Sequence, residues 1–219
     1  MAVFAYNPDA AKSWANSVVN YLNGGSESVS ACSRRFSEQI EKLVQPNVWT
    51  GAAAAKNYQN FMDTHQAMIK FINSFGEAFE GAMNSINKSI AELEIANLGA
   101  DTNVTSKFGS LSYEQISALS MENINKDVVR YDYATIMEIG TALNSIVGDL
   151  ETIKTGLNNK INELNNGSAI WDGNAAEAAK ESLINTLNNN MKAVLEGLQI
   201  CIKNINEAAS AAQMADVAK

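Results

Sequence analysis

Apolar residues recur at steps of three and four along four long stretches of the chain, and each stretch predicts an amphipathic helix with one face turned to a core. The first stripe runs Trp14, Val18, Tyr21, Val29, Cys32, Phe36, Ile40 and Leu43, thinned only at Gly24 and Gly25, where a kinked or weakened turn is expected. Asn7 is placed to cap this helix, Pro8 suits its first position, and Asp9 faces the positive end of the dipole. Pro46 withholds a backbone donor and disfavours helical angles at Gln45, so the helix ends near Val44. The second and longest stripe follows "NVWTG": Phe61, His65, Met68, Ile72, Phe75, Phe79, Met83, Ile86, Ile90 and Leu93. From about Val129 a third runs Ile136, Ile139, Leu143, Ile146, Leu150, Ile153, Leu157, Ile161 and Leu164, and stops at "NNGSA". Beyond "IWDG" a fourth runs Ala176, Ala179, Leu183, Leu187, Met191, Val194, Leu198, Cys201, Ile205, Ala208 and Ala212, fraying toward Lys219. Residues 99–112 lose the periodicity and gather Gly, Ser, Thr, Asp and Asn, the composition of a linker, with a short helix expected at 113–120.

Two of the junctions repeat. "NVWTGAAAAKNYQNF" and "AIWDGNAAEAAKESL" each follow one amphipathic helix and open another, with Trp171 standing 122 residues after Trp49. A reversal between long helices leaves amides and carbonyls without partners at both helix ends. Glycine at Gly51 and Gly173 permits the backbone angles of the corner, and the tryptophan two residues earlier can cover the mouth of the hairpin while its indole N–H donates to a freed carbonyl. Small residues after each glycine, Ala52 to Ala55 and Ala175 to Ala176, let the helices close together. Internal duplication of a helical hairpin is the simplest organisation: residues 1–98, a linker at 99–128, and residues 129–219.

Composition narrows the class. With 46% hydrophobic residues and only two prolines in 219, the chain has material for a core and little to interrupt helices, so the fold is expected to be all-α. A net charge of −8 disfavours a nucleic-acid partner and offers no polybasic stripe for anionic lipid. No stretch approaches the ~20 apolar residues of a membrane span, and the first residues lack the basic and apolar regions of a secretory signal.

A helix, a Trp-x-Gly bend, an alanine-rich start to a second helix and about a hundred residues per unit together resemble the WXG superfamily, the ESAT-like small proteins of type VII secretion. The motifs are Trp49-Thr50-Gly51 and Trp171-Asp172-Gly173. The resemblance implies an antiparallel four-helix bundle made of two tandem helix-turn-helix hairpins, a single-chain pseudo-dimer expected to be a monomer. The linker is long enough to return along the full second helix, as that antiparallel arrangement requires. It further implies export through a type VII secretion ATPase and translocase, as a secreted substrate acting by protein–protein interaction on a helical effector or host protein. The alternative is an intracellular escort for a secreted helical toxin, co-exported with it, and a membrane-lytic bundle is a third class. The family pairs its bend with a Tyr-x-x-x-Asp/Glu tail motif. Here no tyrosine follows Tyr133, Tyr58 and Asp63 stand one residue too far apart, and Ala212 to Asp216 keeps the interval without the aromatic.

The remaining chemistry is sparse. No phosphate loop, nucleophile elbow or dinucleotide fingerprint occurs, and the single histidine, His65, lies on an apolar stripe, so no enzyme, cofactor or metal is expected. Without a Glu-x-x-His pair a di-metal carboxylate bundle has no ligands. Cys32 and Cys201 fall on core stripes, where a free thiol acts as a small hydrophobe. A bridge between them would require Cα atoms within about 7 Å. Met68, Phe75, Phe79 and Met83 read as bundle core, and Glu77, Glu80, Glu92 and Glu94 as solvated helix faces.

Overall fold

The computed structural model describes residues 7–98, 126–166 and 170–217. The helix expected at 113–120 and most of the linker lie outside the described residues, as do the side chains of Ile90, Leu93 and Glu94. The described chain is mostly helical: α1 (Pro8–Asn23), α2 (Val29–Leu43), α3 (Ala52–Leu98), α4 (Tyr133–Glu163) and α5 (Asn174–Val217). Two short strands, β1 (Trp49–Thr50) and β2 (Arg130–Tyr131), pair antiparallel with Trp49 opposite Tyr131 and Thr50 opposite Arg130.

Local signals explain where the helices begin and end. Asn7 caps α1, its Oδ1 accepting from the amides of Asp9 and Ala10 at 3.1 Å each. The glycine pair breaks the first helix outright where a kink was expected. A single 3-10 turn (Gly25–Glu27) follows, and Ser28 then starts α2 by accepting from the Ala31 amide at 3.2 Å. A fresh cap serves the orphan amides of a new helix, which a bent ladder would leave strained. A second expectation is also corrected. The third predicted helix begins at Tyr133 and not near Val129, because Arg130–Tyr131 is drawn into the strand pair and Asp132 provides the cap. Its carboxylate accepts from the Thr135 amide at 3.3 Å and the Thr135 hydroxyl at 2.7 Å.

The five helices share one interior. The broadest contact is between α3 and α5, followed by α4 with α5, α2 with α4, and α2 with α3. Thr64 of α3 meets Gly197 and Cys201 of α5, whereas Ser89 and Glu92 near the other end of α3 lie beside Trp171 to Ala175, so these two helices run in opposite directions. α1 and α2 run opposite to α4 in the same way. Trp14 reaches Lys160, the Tyr21 ring lies over Gly156, and Arg35 pairs with Asp149 at 2.7 Å. Between α2 and α3 the filling is aromatic, with Phe36 stacked on Phe61 and on the His65 ring.

The predicted stripes are the core. Every apolar residue named above on the third stripe is buried, and on the second stripe all are buried through Ile86. His65 is 1% exposed, with Nε2 2.9 Å from the Ser37 hydroxyl, and burial lowers its pKa. Both cysteines are free and fully buried, Cys32 beside Arg35 and Cys201 beside Thr64. Burial pushes both thiols up, Cys201 to about 11, so each stays protonated at neutral pH.

Candidate functional site

Both Trp-x-Gly segments form helix-to-helix bends, one leading into α3 and the other into α5. Gly51 and Gly173 sit at φ +104° and +123°, in the region that side chains disfavour. Their carbonyls accept the first amide bond of each helix, from Ala55 at 3.0 Å and Glu177 at 3.1 Å, so glycine occupies both cap positions. At Gly51 a side chain would also meet Val129, 3.2 Å from where a Cβ would lie. Trp49 and Trp171 are buried, at 3% and 1% exposure.

The two indoles do not make the carbonyl tie expected of them. Trp49 packs edge-on against Tyr131, with ring centroids 5.9 Å apart. The Trp171 Nε1 is buried without a hydrogen-bond partner. Other side chains make the tie. Trp14 donates its indole N–H to the carbonyl of Lys160 at 2.6 Å, in the last turn of α4, where intrahelical partners have run out. At the first bend the Tyr58 hydroxyl lies 2.8 Å from the Leu43 carbonyl and 2.9 Å from that of Trp49, so its proton joins the end of α2 to the bend. Burial raises the pKa of Tyr58 and keeps that proton in place.

Each bend is closed by a segment distant in sequence. At the first, the Asp132 amide donates to the Val48 carbonyl at 2.7 Å and the Thr50 hydroxyl to the Val128 carbonyl at 2.5 Å. Tyr131 is half-buried there, and burial pushes its phenol up to about 12. At the second, the Asn7 amide donates to the Ile170 carbonyl at 3.3 Å, and Trp171 donates its own amide to Leu164 at 3.2 Å. The residues that start α1 and α4, Asn7 and Asp132, thus each hold the carbonyl just before the tryptophan of the other bend. Asn165 braces the second bend further, donating to Glu177 and accepting from Lys180 at 2.9 Å. A cavity of about 310 Å³ opens beside it, lined by Ser89, Glu92 and Trp171 to Ala175.

Sequence reasoning found the four bend residues but not the segment that closes them. Tyr131 and Thr50 carry no periodic signal, Trp14 was legible as a stripe residue, and Tyr58 was noted only for its spacing from Asp63. The contact of Ser37 with His65 joins a half-buried hydroxyl to a buried imidazole, and the same hydroxyl lies 3.0 Å from the Ser33 carbonyl. Among the described residues no helix is long and apolar enough to cross a membrane. Comparison of the chain with protein families, with curated proteins and with solved structures found no match in any of the three.

Proposed function

We propose that the chain is a tandem fusion of two Trp-x-Gly hairpins, residues 1–98 and 129–219, folded as an antiparallel four-helix bundle in which one polypeptide supplies both protomers. On this reading it is a substrate of a type VII, ESAT-like secretion system, acting outside the cell by protein–protein contact, without catalysis or cofactor. One observation carries the proposal: two glycine-capped bends, each with a buried tryptophan, are closed reciprocally by the first residues of the opposite hairpin around one interior. Reciprocity of this kind is what two-fold pairing of like units requires.

The test is immunodetection of the protein in culture medium from cells with and without the secretion ATPase, alongside Trp49→Ala and Trp171→Ala. Export that needs the ATPase and is lost in the variants supports the reading; equal amounts outside both strains refute it. The escort alternative is favoured by a separate observation. Of the six exposed large hydrophobics among the described residues, Val44, Val128, Val129, Tyr133 and Met214 belong to the end that holds the first bend, and only Ile200 lies elsewhere. An apolar group at one end suits a helical cargo. Recovery of one helical partner with the tagged chain, lost in Val129→Asp, decides for the escort.

A further inference from the structure

The second bend contains an Asp-Gly step, Asp172–Gly173, held in a way that sets it apart. Gly173 sits at φ +123°, its carbonyl accepts from the Glu177 amide at 3.1 Å, and its own amide donates to Asp172 Oδ1 at 2.9 Å. Among the described residues that carboxylate is the amide's one partner. At Asn23–Gly24, where α1 ends, the Gly24 amide instead donates to the Asn20 carbonyl at 2.7 Å, a helical bond directed away from the neighbouring side chain. A third such step, Asn166–Gly167, has its glycine outside the described residues.

The side-chain carbonyl carbon of an aspartate or asparagine lies where bonding to the next backbone nitrogen closes a five-membered ring. Closure requires that the side chain turn toward that nitrogen, that the nitrogen be free of a helical acceptor, and that the following residue be small enough to permit the approach. Asp172–Gly173 meets all of these conditions, because the carbon that bears Oδ1 is the electrophile nearest the Gly173 nitrogen. Asn23–Gly24 fails the second. Water, the other reactant, reaches the step through the cavity of about 310 Å³ that Asp172 and Gly173 line.

We propose that Asp172 is a site of spontaneous isomerisation to isoaspartate, and that the change releases Trp171. The Gly173 nitrogen loses its proton and bonds to Cγ of the carboxyl in its neutral form; the carboxyl hydroxyl leaves with a proton as water, and a succinimide remains. Water then adds at one of the two ring carbonyls. Cleavage of the new bond restores aspartate. Cleavage of the original peptide bond leaves the main chain running through Cβ and Cγ, one methylene longer, with no net change in mass and no oxidant consumed. The longer step cannot serve both neighbours as they stand, since Trp171 is buried with its amide on the Leu164 carbonyl at 3.2 Å and Gly173 caps α5. The cap belongs to a helix of 44 residues, whereas the indole N–H has no partner to hold it, so it is Trp171 that yields. Only the geometry of the second bend is needed for this, and the export reading is not.

The test ages the full folded chain in warm buffer at about pH 6, where an ordinary carboxyl keeps a small neutral fraction, beside the same chain unfolded in guanidinium chloride. Sites are mapped by methylation with an isoaspartyl methyltransferase and by electron-transfer fragmentation of proteolytic peptides, which separates mass-neutral isomerisation of aspartate from deamidation of asparagine. Isoaspartate is expected at Asp172 of the folded chain at a rate within about tenfold of the unfolded one, since no hydrogen bond to another residue has first to break. The mass-neutral signal should vanish in Asp172→Glu, whose longer side chain cannot close the same ring. Asn23 should deamidate about tenfold more slowly folded than unfolded, the effect of one net hydrogen bond on its glycine's amide. In radical footprinting the isomerised fraction should show Trp171 newly oxidised, with Trp14 and Trp49 protected as before. Isomerisation of Asp172 suppressed more than about tenfold by folding, or a mass-neutral signal that survives Asp172→Glu, would overturn the assignment of the site. Equal protection of Trp171 in fresh and isomerised protein would overturn its release.

Discussion

Replacing Trp14 and Trp171 in turn by phenylalanine separates what an indole contributes by filling space from what it contributes by donating a proton. Both rings are buried, at 3% and 1% exposure. Each substitution removes about 40 Å³ of side chain, and at ~24 cal/mol per Å³ the unfilled volume costs about 1 kcal/mol in either case. The N–H contributions then differ in sign. Trp14→Phe abolishes the 2.6 Å bond to Lys160 and leaves a helix-end carbonyl partly buried without a donor, adding about 1–2 kcal/mol. Trp171→Phe removes a buried N–H that has no acceptor, relieving about 1–2 kcal/mol. The expected totals are a loss of about 2–3 kcal/mol for Trp14→Phe and a change within about 1 kcal/mol of the unaltered protein for Trp171→Phe. Urea unfolding followed by far-UV circular dichroism reads the difference, provided the m-values agree. If Trp171→Phe is as destabilising as Trp14→Phe at equal m, the assignment of the helix-end tie to Trp14 is wrong.

Three further outcomes follow from particular contacts. Burial holds the His65 pKa below its ordinary value, so the unfolded chain takes up the proton first; stability is complete above about pH 6.5 and falls by up to about 1.4 kcal/mol per unit as pH drops toward the folded pKa. His65→Phe should flatten that slope in urea titrations between about pH 6.5 and 5. Gly156→Ala places a methyl group against the Tyr21 ring and should cost about 1–3 kcal/mol, a loss that Tyr21→Ala largely cancels in a double-mutant cycle; additive effects would refute the contact. Gly173→Ala forces a side chain to φ +123° and should cost about 1–3 kcal/mol by thermal or urea unfolding, against a few tenths for a substitution such as Glu181→Ala on the exposed side of the same helix.

Periodic burial made the helices legible. The stripe from Ile136 to Leu164 names the buried face of α4 residue by residue, and Pro46 locates the end of α2 to within a residue. A helix writes its core face into sequence every three or four positions, so many residues carry the same message. The bends were half legible. Trp49 with Gly51 and Trp171 with Gly173 announced a corner by residue type and repetition, and both glycines have the backbone angles that corner demands. What closes each corner depends on one or two contacts between segments far apart in the chain. Nothing local to Tyr131 says that it meets Trp49, and nothing near Asn7 points to Ile170. Ser28 and Asp132 were missed signals of a local kind: a serine cap just past a glycine pair predicts a restart rather than a kink, and an aspartate cap sets the start of α4.

The bond from Asp132 to Val48 has a temporal consequence. Synthesis proceeds from the amino terminus at ~5–20 residues per second, so about 4–17 s pass between the appearance of Trp49 and that of Asp132. Until the second half follows, the nascent first half carries the face of α3 that makes the broadest contact of the fold with no α5 to cover it. A ribosome-bound chaperone that grips apolar helices therefore has a window that outlasts the arrival of Asp132 and closes only once α5, which begins at Asn174, has been made.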